Sequence, residues 1–167
     1  MPAAMVDATM ANFEAMLAVS EVQGQGLLLL LFLGDRDTAM GGSWCPGRIP
    51  LRKAGQIQTF YCFSVFQVMA MEAYSDAFVL LDQKMDCVRA EPVIYKTLES
   101  SNKLMTLLRV YVGDRATWRT SSHPLRHDPR FLLKGVPTVV RWEDGKITGR
   151  LEDHEAHVED KIKKLIS

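Results

Sequence analysis

Apolar residues recur at Phe13, Met16 and Leu17 with the spacing of one helix face. Thr9 is the expected N-cap of that helix, and Gly24 and Gly26 its stop. Leu27–Leu33 follows as an unbroken apolar run, too short for a helix and apolar on both sides, which predicts a central strand covered on both faces. Gly34 and Asp35 end it, and a polar loop continues to Gly41, Gly42 and Ser43. Residues 86–100 return to a helical pattern through Val88, Ile94, Tyr95 and Leu98, with Pro92 inside it expected to kink the helix. Residues 107–112 predict a second buried strand, ended by Gly113 and Asp114, and 113–130 a long polar loop. A third strand opens at Val136-Pro137-Thr138 and runs through Trp142. Asp144-Gly145 is a hairpin turn signal, and 146–151 pairs back as a fourth strand. A last helix is expected from about Glu152, with Val158, Ile162, Leu165 and Ile166 as its buried stripe, acids first and lysines last. The order helix, strand, helix, strand, strand, strand, helix predicts an α/β fold around a mixed sheet.

Between Ser43 and Asp86 the pattern breaks. Residues 47–58 are basic and irregular, and 59–85 contain no Gly or Pro. That second stretch carries Phe60, Tyr61, Phe63, Phe66, Tyr74 and Phe78 and reads as helix or strand, while Glu72 and Asp76 argue against a membrane span.

Composition narrows the class without naming a function. The 167 residues carry no formal net charge, are 24% charged and 47% hydrophobic, and suit one soluble domain. Balanced charge argues against a nucleic-acid binder or a polybasic membrane-surface protein. The start of the chain lacks the basic residues and apolar stretch of a secretory signal. Three cysteines, Cys45, Cys62 and Cys87, are too few and odd in number for a secreted disulfide framework, so a reducing, cytosolic setting is expected.

Cys45 follows a buried strand, between Trp44 and Pro46, and Cys87 falls in the expected first turn of a helix. A thiol at a helix N-terminus meets unpaired N–H groups and the positive dipole end, which favour the thiolate that attacks disulfides. Buried, inert thiols are the other reading of the same residues.

Trp44-Cys45-Pro46, then Asp86-Cys87-Val88-Arg89-Ala90-Glu91-Pro92, resembles the Trp-Cys-Pro-Asp-Cys motif of the thioredoxin-like Clot proteins, the thioredoxin domain-containing protein 17 family. Pro92 is similar to the helix-kinking proline of that fold, and Val136-Pro137-Thr138 to its cis-proline loop. Residues 111–118 and 150–157 resemble the plant members in particular, and the likeness covers 1–46 and 86–167. It implies a thioredoxin-like α/β fold with a central mixed β-sheet flanked by helices. It implies a cytosolic protein-disulfide reductase in which Cys45 attacks and Cys87 resolves. Pro46 and Asp86 would tune the thiols, and Trp44 and Pro137 would line the substrate groove. The implied partners are disulfide-containing substrates and thioredoxin reductase, which passes electrons from NADPH; no cofactor held by the chain itself, no nucleic acid and no membrane is expected.

One departure is severe. In the family only a proline and an aspartate separate the cysteines, whereas here Pro46 and Asp86 flank an additional segment, 47–85. The chain reads as a single thioredoxin-like domain, 1–167, interrupted by that insert; without it a chain of thioredoxin size remains, with the motif restored. A translated intron or splice variant and a genuine regulatory insertion are the two origins. Either way an impaired reductase is expected, the alternatives being a non-catalytic thioredoxin-fold binding module and peroxide chemistry at a reactive thiolate. No metal is expected: the cysteines lack paired spacing, and His154 and His157 are one residue short of a His-Glu-x-x-His pair. Cys62 is read as incidental and Trp118 and Trp142 as packing residues. The arginines and histidines of 113–130 form either a solvated loop or a surface that steers acidic partners.

Overall fold

A computed structural model describes residues 3–24, 26–37, 42–43 and 86–167. The expectations for Trp44, Cys45, Pro46, Cys62 and the segment 47–85 lie outside these residues, as does the side chain of Asp86.

Strand β1 (Ala4–Thr9) leads into helix α1 (Phe13–Gln23) and the apolar strand β2 (Leu27–Leu33). A small hairpin, β3 (Arg36–Asp37) and β4 (Gly42–Ser43), comes next. Helix α2 (Asp86–Glu99) leads to β5 (Met105–Tyr111), two short helices α3 (Arg115–Arg119) and α4 (Pro124–His127), then β6 (Thr138–Glu143) and β7 (Lys146–Glu152). A 3-10 turn (Asp153–Glu155) and helix α5 (Glu159–Ile166) complete the chain.

Five strands form one sheet in the order β1-β5-β2-β6-β7. β1 and β2 run parallel to β5, while β6 is antiparallel to both β2 and β7. The sheet is mixed and β2 is its middle strand, as the run of leucines requires: consecutive residues Leu28 to Leu33 are all buried, so both faces are covered. Helix α1 packs on β1 and β5, and α2 packs against α5, which also lies on β7. Phe131 centres an aromatic cluster, edge-on to Phe13 and Phe32 at 5.4 Å and stacked on Trp142 at 5.3 Å. Trp118 and Trp142 are both buried, the packing roles expected of them.

The hairpin signal is realised, with Asp144 and Gly145 both at positive φ (52° and 74°), the backbone a two-residue turn between β6 and β7 demands.

Five expectations are corrected. The predicted order has no strand before the first helix, yet β1 pairs with β5 at the sheet edge, and the stretch read as a polar loop after Asp35 holds the β3–β4 hairpin. Thr9 does not cap α1: it ends β1, and its hydroxyl donates to Asn12 Oδ1 in the turn before the helix. The stretch 113–130 is not one loop. Asp114 Oδ1 accepts from the Thr117 amide at 2.7 Å to cap α3, Pro124 opens α4, and Trp118, His123 and Leu125 are buried. The last helix does not begin near Glu152, which still pairs with Thr138 in the sheet. Asp153 then takes a left-handed φ of 49° and heads only the short 3-10 turn, and the α-helix α5 opens at Glu159 with Val158 in the capping position.

Candidate active site

Cys87 is the second residue of α2 and is fully buried. Ala90, Ile94 and Leu98 share its helix face and are buried with it, so the thiol's inward position follows from the apolar stripe of the whole helix. A thiol there lies in the first turn, where backbone amides lack intrahelical partners and the dipole favours negative charge.

The hairpin β3–β4 lies against the same helix. Arg36 pairs in register with Ser43, two residues before Cys45. Its Nη2 stands 3.5 Å from Oε2 of Glu91, one helical turn beyond Cys87. Glu91 is held in turn: Tyr95, one turn further, donates its hydroxyl to the same Oε2 at 3.1 Å. Arg109 of β5 donates to the Tyr95 oxygen at 3.4 Å and grips Asp7 of β1 through Nε and Nη2 at 2.6 and 2.9 Å. A polar chain therefore runs Asp7, Arg109, Tyr95, Glu91, Arg36 from the edge of the sheet to the base of the hairpin. Burial raises the Tyr95 phenol to about 12, and burial likewise raises Tyr111 at the end of β5. None of these five residues stands out in the sequence. The one local signal is Glu91 and Tyr95 at the i, i+4 spacing of helical neighbours.

Pro137 is buried and the Val136–Pro137 peptide bond is cis, the form expected of this loop. Its carbonyl accepts the Asp153 amide at 2.8 Å, and the turn Asp153–Glu155 packs on α2. The proline loop is thus tied through one turn to the helix that carries Cys87. Thr138 Oγ1 donates to Gly135 O at 2.9 Å and braces the loop from its other side.

Helix α3 joins the same end of the sheet. Gly113 N donates to Asp35 Oδ1 at 2.9 Å, and Asp35 N to Gly113 O at 3.2 Å, tying the ends of β2 and β5 together. Arg126 lies over the Trp118 ring at 4.2 Å, and the buried His123 bonds Val112 O through Nε2 at 2.8 Å. The arginine-rich stretch is therefore half core and half surface. Among the described residues no cluster of three or more His, Cys, Asp and Glu could hold a metal ion.

The comparisons with known proteins address the same fold. The family model described as thioredoxin domain-containing protein 17-like, thioredoxin domain, matches residues 84–167, half of the chain. The chain is 39% identical over 165 residues to the thioredoxin-like protein Clot of Arabidopsis thaliana, covering 97% of this chain and 94% of that protein. It belongs to the thioredoxin-like Clot family. The Clot protein of Oryza sativa subsp. japonica is 37% identical over 171 residues, with the same coverage on both sides. The thioredoxin domain-containing protein 17 of Epinephelus coioides is more distant, 26% identical over 125 residues and 75% of this chain. The mixed five-stranded sheet with its flanking helices is a thioredoxin-like fold. Of the site residues that the Clot resemblance implies, the structure describes Cys87, the backbone of Asp86, and Pro137; it also places Pro92 inside α2. The helix that carries Cys87 and the loop that carries Pro137 are joined by the Asp153–Glu155 turn. Trp44, Cys45 and Pro46 lie outside the described residues.

Proposed function

We propose that the chain is a protein-disulfide reductase working by dithiol/disulfide exchange, with Cys45 as the attacking thiol and Cys87 as the resolving one. The observation that carries this reading is the complete burial of Cys87 in the first turn of α2 within a Clot-type thioredoxin domain. A thiol with no exposed surface is poorly placed to meet a bulky substrate but well placed to meet a second thiol of its own chain. That division of labour suits Cys87 to the second step.

Cys45, as thiolate, attacks one sulfur of a substrate disulfide. The substrate S–S bond breaks, a Cys45–substrate disulfide forms, and the other substrate sulfur leaves and takes up a proton. Cys87 then gives up its proton and attacks Cys45 Sγ, releasing the second substrate thiol. The substrate has gained two electrons and two protons, and the protein has lost them as Cys45–Cys87. Pro46 and Asp86 tune the thiols, and Trp44 and Pro137 line the groove for substrate backbone. Electrons return from NADPH through thioredoxin reductase, in the cytosol, with no cofactor held by the chain. The segment 47–85, set between Pro46 and Asp86, makes this form a slower reductase than one with adjacent motif halves.

Replacing the resolving thiol tests the assignment. Cys87→Ser is expected to accumulate a Cys45–substrate mixed disulfide, visible by intact mass and cleared by added dithiol, while Cys45→Ser forms none. A Cys87→Ser chain that turns over at the wild-type rate overturns Cys87 as the resolving thiol, and one that captures no substrate overturns the pair and leaves the non-catalytic binding module.

A further inference from the structure

The polar chain that ends at Arg36 has a use that burial and packing do not require. We propose that Arg36 and Glu91 are positioning residues, a clasp that holds the β3–β4 hairpin, which ends two residues before Cys45 in sequence, against the first turns of α2, which carries Cys87. This rests on the reading of Cys45 and Cys87 as the redox pair.

The geometry sets the argument. Arg36 lies opposite Ser43 in the hairpin register, so whatever fixes Arg36 also fixes the last described residue before the motif. Arg36 reaches Glu91 at 3.5 Å, and Glu91 is one helical turn from Cys87. Side chains on a helix lean toward its N-terminus, so the Glu91 carboxylate is offered on the Cys87 side of its own turn. Glu91 cannot swing away freely, because Tyr95 donates to it and Arg109, anchored to Asp7, donates to Tyr95. From Ser43 to Cys45 the backbone spans at most about 7 Å. The hairpin on α2 thus holds Ser43, two residues short of Cys45 in sequence, beside the helix that carries Cys87.

The long separation gives the clasp its purpose. In an uninterrupted motif the helical turn itself sets the distance between the thiols. Here the whole stretch from Pro46 to Asp86 intervenes, and its closure carries an entropic cost that grows as the logarithm of length. A contact between the two described flanks of that stretch, the hairpin and α2, lowers this cost in advance. An exposed ion pair is weak by itself, and the Arg36 side chain is 56% exposed, so its loss leaves the fold intact while loosening the base of the loop.

The test is the equilibrium between the two thiols and the disulfide in full-length chain, in a Cys62→Ser background so that one pairing is available. Oxidised glutathione takes two electrons and two protons from Cys45 and Cys87 and leaves as two glutathione thiols. The ratio of forms after acid quench gives the equilibrium constant. Arg36→Ala is expected to lower it roughly two- to fivefold, the range of an exposed but braced ion pair. Glu91→Gln, which keeps an acceptor for Tyr95 and removes only the charge, is expected to lower it alike, and Arg36→Lys to recover most of the loss. The thermal midpoint should move little in all three, so a drop in the constant is not a drop in folding. A disulfide that forms with the same constant in wild type and both charge-removing variants overturns the clasp and leaves the redox pair standing. A wild-type chain that forms no Cys45–Cys87 disulfide overturns the pair itself, and the clasp with it.

Discussion

Tyr95 is the residue at which the polar chain turns from the sheet to the helix, and its phenol carries a measurable signature. Burial is the main cause of its rise from 10.0 to about 12, opposed by the Arg109 hydrogen bond and aided by the Glu91 charge. In the unfolded chain the phenol ionises at its ordinary value, so below pH 10 both states hold the proton and the group contributes nothing to pH dependence. Between pH 10 and 12 the unfolded chain has released the proton and the folded chain has not. Stability therefore falls as pH rises through that window. Urea unfolding at stepped alkaline pH should show the decline, and Tyr95→Phe should flatten it. A spectrophotometric titration should show one fewer late-ionising tyrosine in that variant. If the slope is the same with and without the hydroxyl, Tyr95 is not the buried phenol that causes it. Residues such as this were not legible in the sequence: Tyr95 reads as one more apolar position of an amphipathic helix, and its partner Arg109 as an interruption of a strand. Cys87 was legible, because a helix start and a motif converge on it.

At the scale of elements, legibility followed the strength of the local pattern. Leu27–Leu33 could only be a strand covered on both faces, and Asp144-Gly145 could only be a tight turn; both are found. Strand β1 was missed because Ala4–Thr9 is an edge strand with one buried residue, Ala8, in its run. What makes it a strand is its parallel register with β5, far along the chain, reinforced by the Asp7–Arg109 pair. The start of the last helix was misplaced for a related reason. Acids at 152, 153 and 155 suit a helix N-terminus, but pairing with β6 claims Glu152 for the sheet. Phe131 shows how a stretch that reads as polar contributes to the core. It follows the arginine-rich segment, is fully buried, and touches aromatic rings from α1, β2 and β6. Its backbone carbonyl also accepts the Arg150 guanidinium, so β7 is tied to the same point. Phe131→Ala removes the centre of that cluster and should cost about 3–5 kcal/mol. For a chain of this length that lowers the thermal midpoint by on the order of 10 °C. Phe131→Leu, which keeps most of the volume, should lose far less. Equal losses for the two would mean that the ring contacts, and not the filled space, hold the elements together.

For the whole molecule the decisive question is what the segment 47–85 does to two thiols that the Clot motif would otherwise place in one turn. The described parts of the chain form a continuous sheet whose five strands lie on both sides of that segment in sequence, β1 and β2 before it and β5, β6 and β7 after. Their pairing does not draw on the segment: β2 pairs with β5 and with β6 over its length. A chain lacking 47–85 should therefore fold, and the hairpin already holds Ser43, three residues before one cut end in sequence, against the helix that the other cut end opens. Joining Pro46 directly to Asp86 leaves only those two between the cysteines. The resolving thiol then lies within the same helical turn as the attacking one, and its encounter no longer depends on closing a long loop. The expected outcome is faster reduction of a model disulfide by the shortened form, roughly tenfold or more, if orientation within the turn is the larger part of the barrier. The same deletion should make Arg36→Ala nearly silent, because the clasp then has no loop to close. The measurement is the rate of both forms, each with and without Arg36, at equal concentration and with a common reductant. Equal rates for the long and short chains would mean that the segment leaves the thiols as the family motif sets them. A faster short chain that still loses several-fold on Arg36→Ala would instead move the arginine from the base of the loop to the redox turn itself.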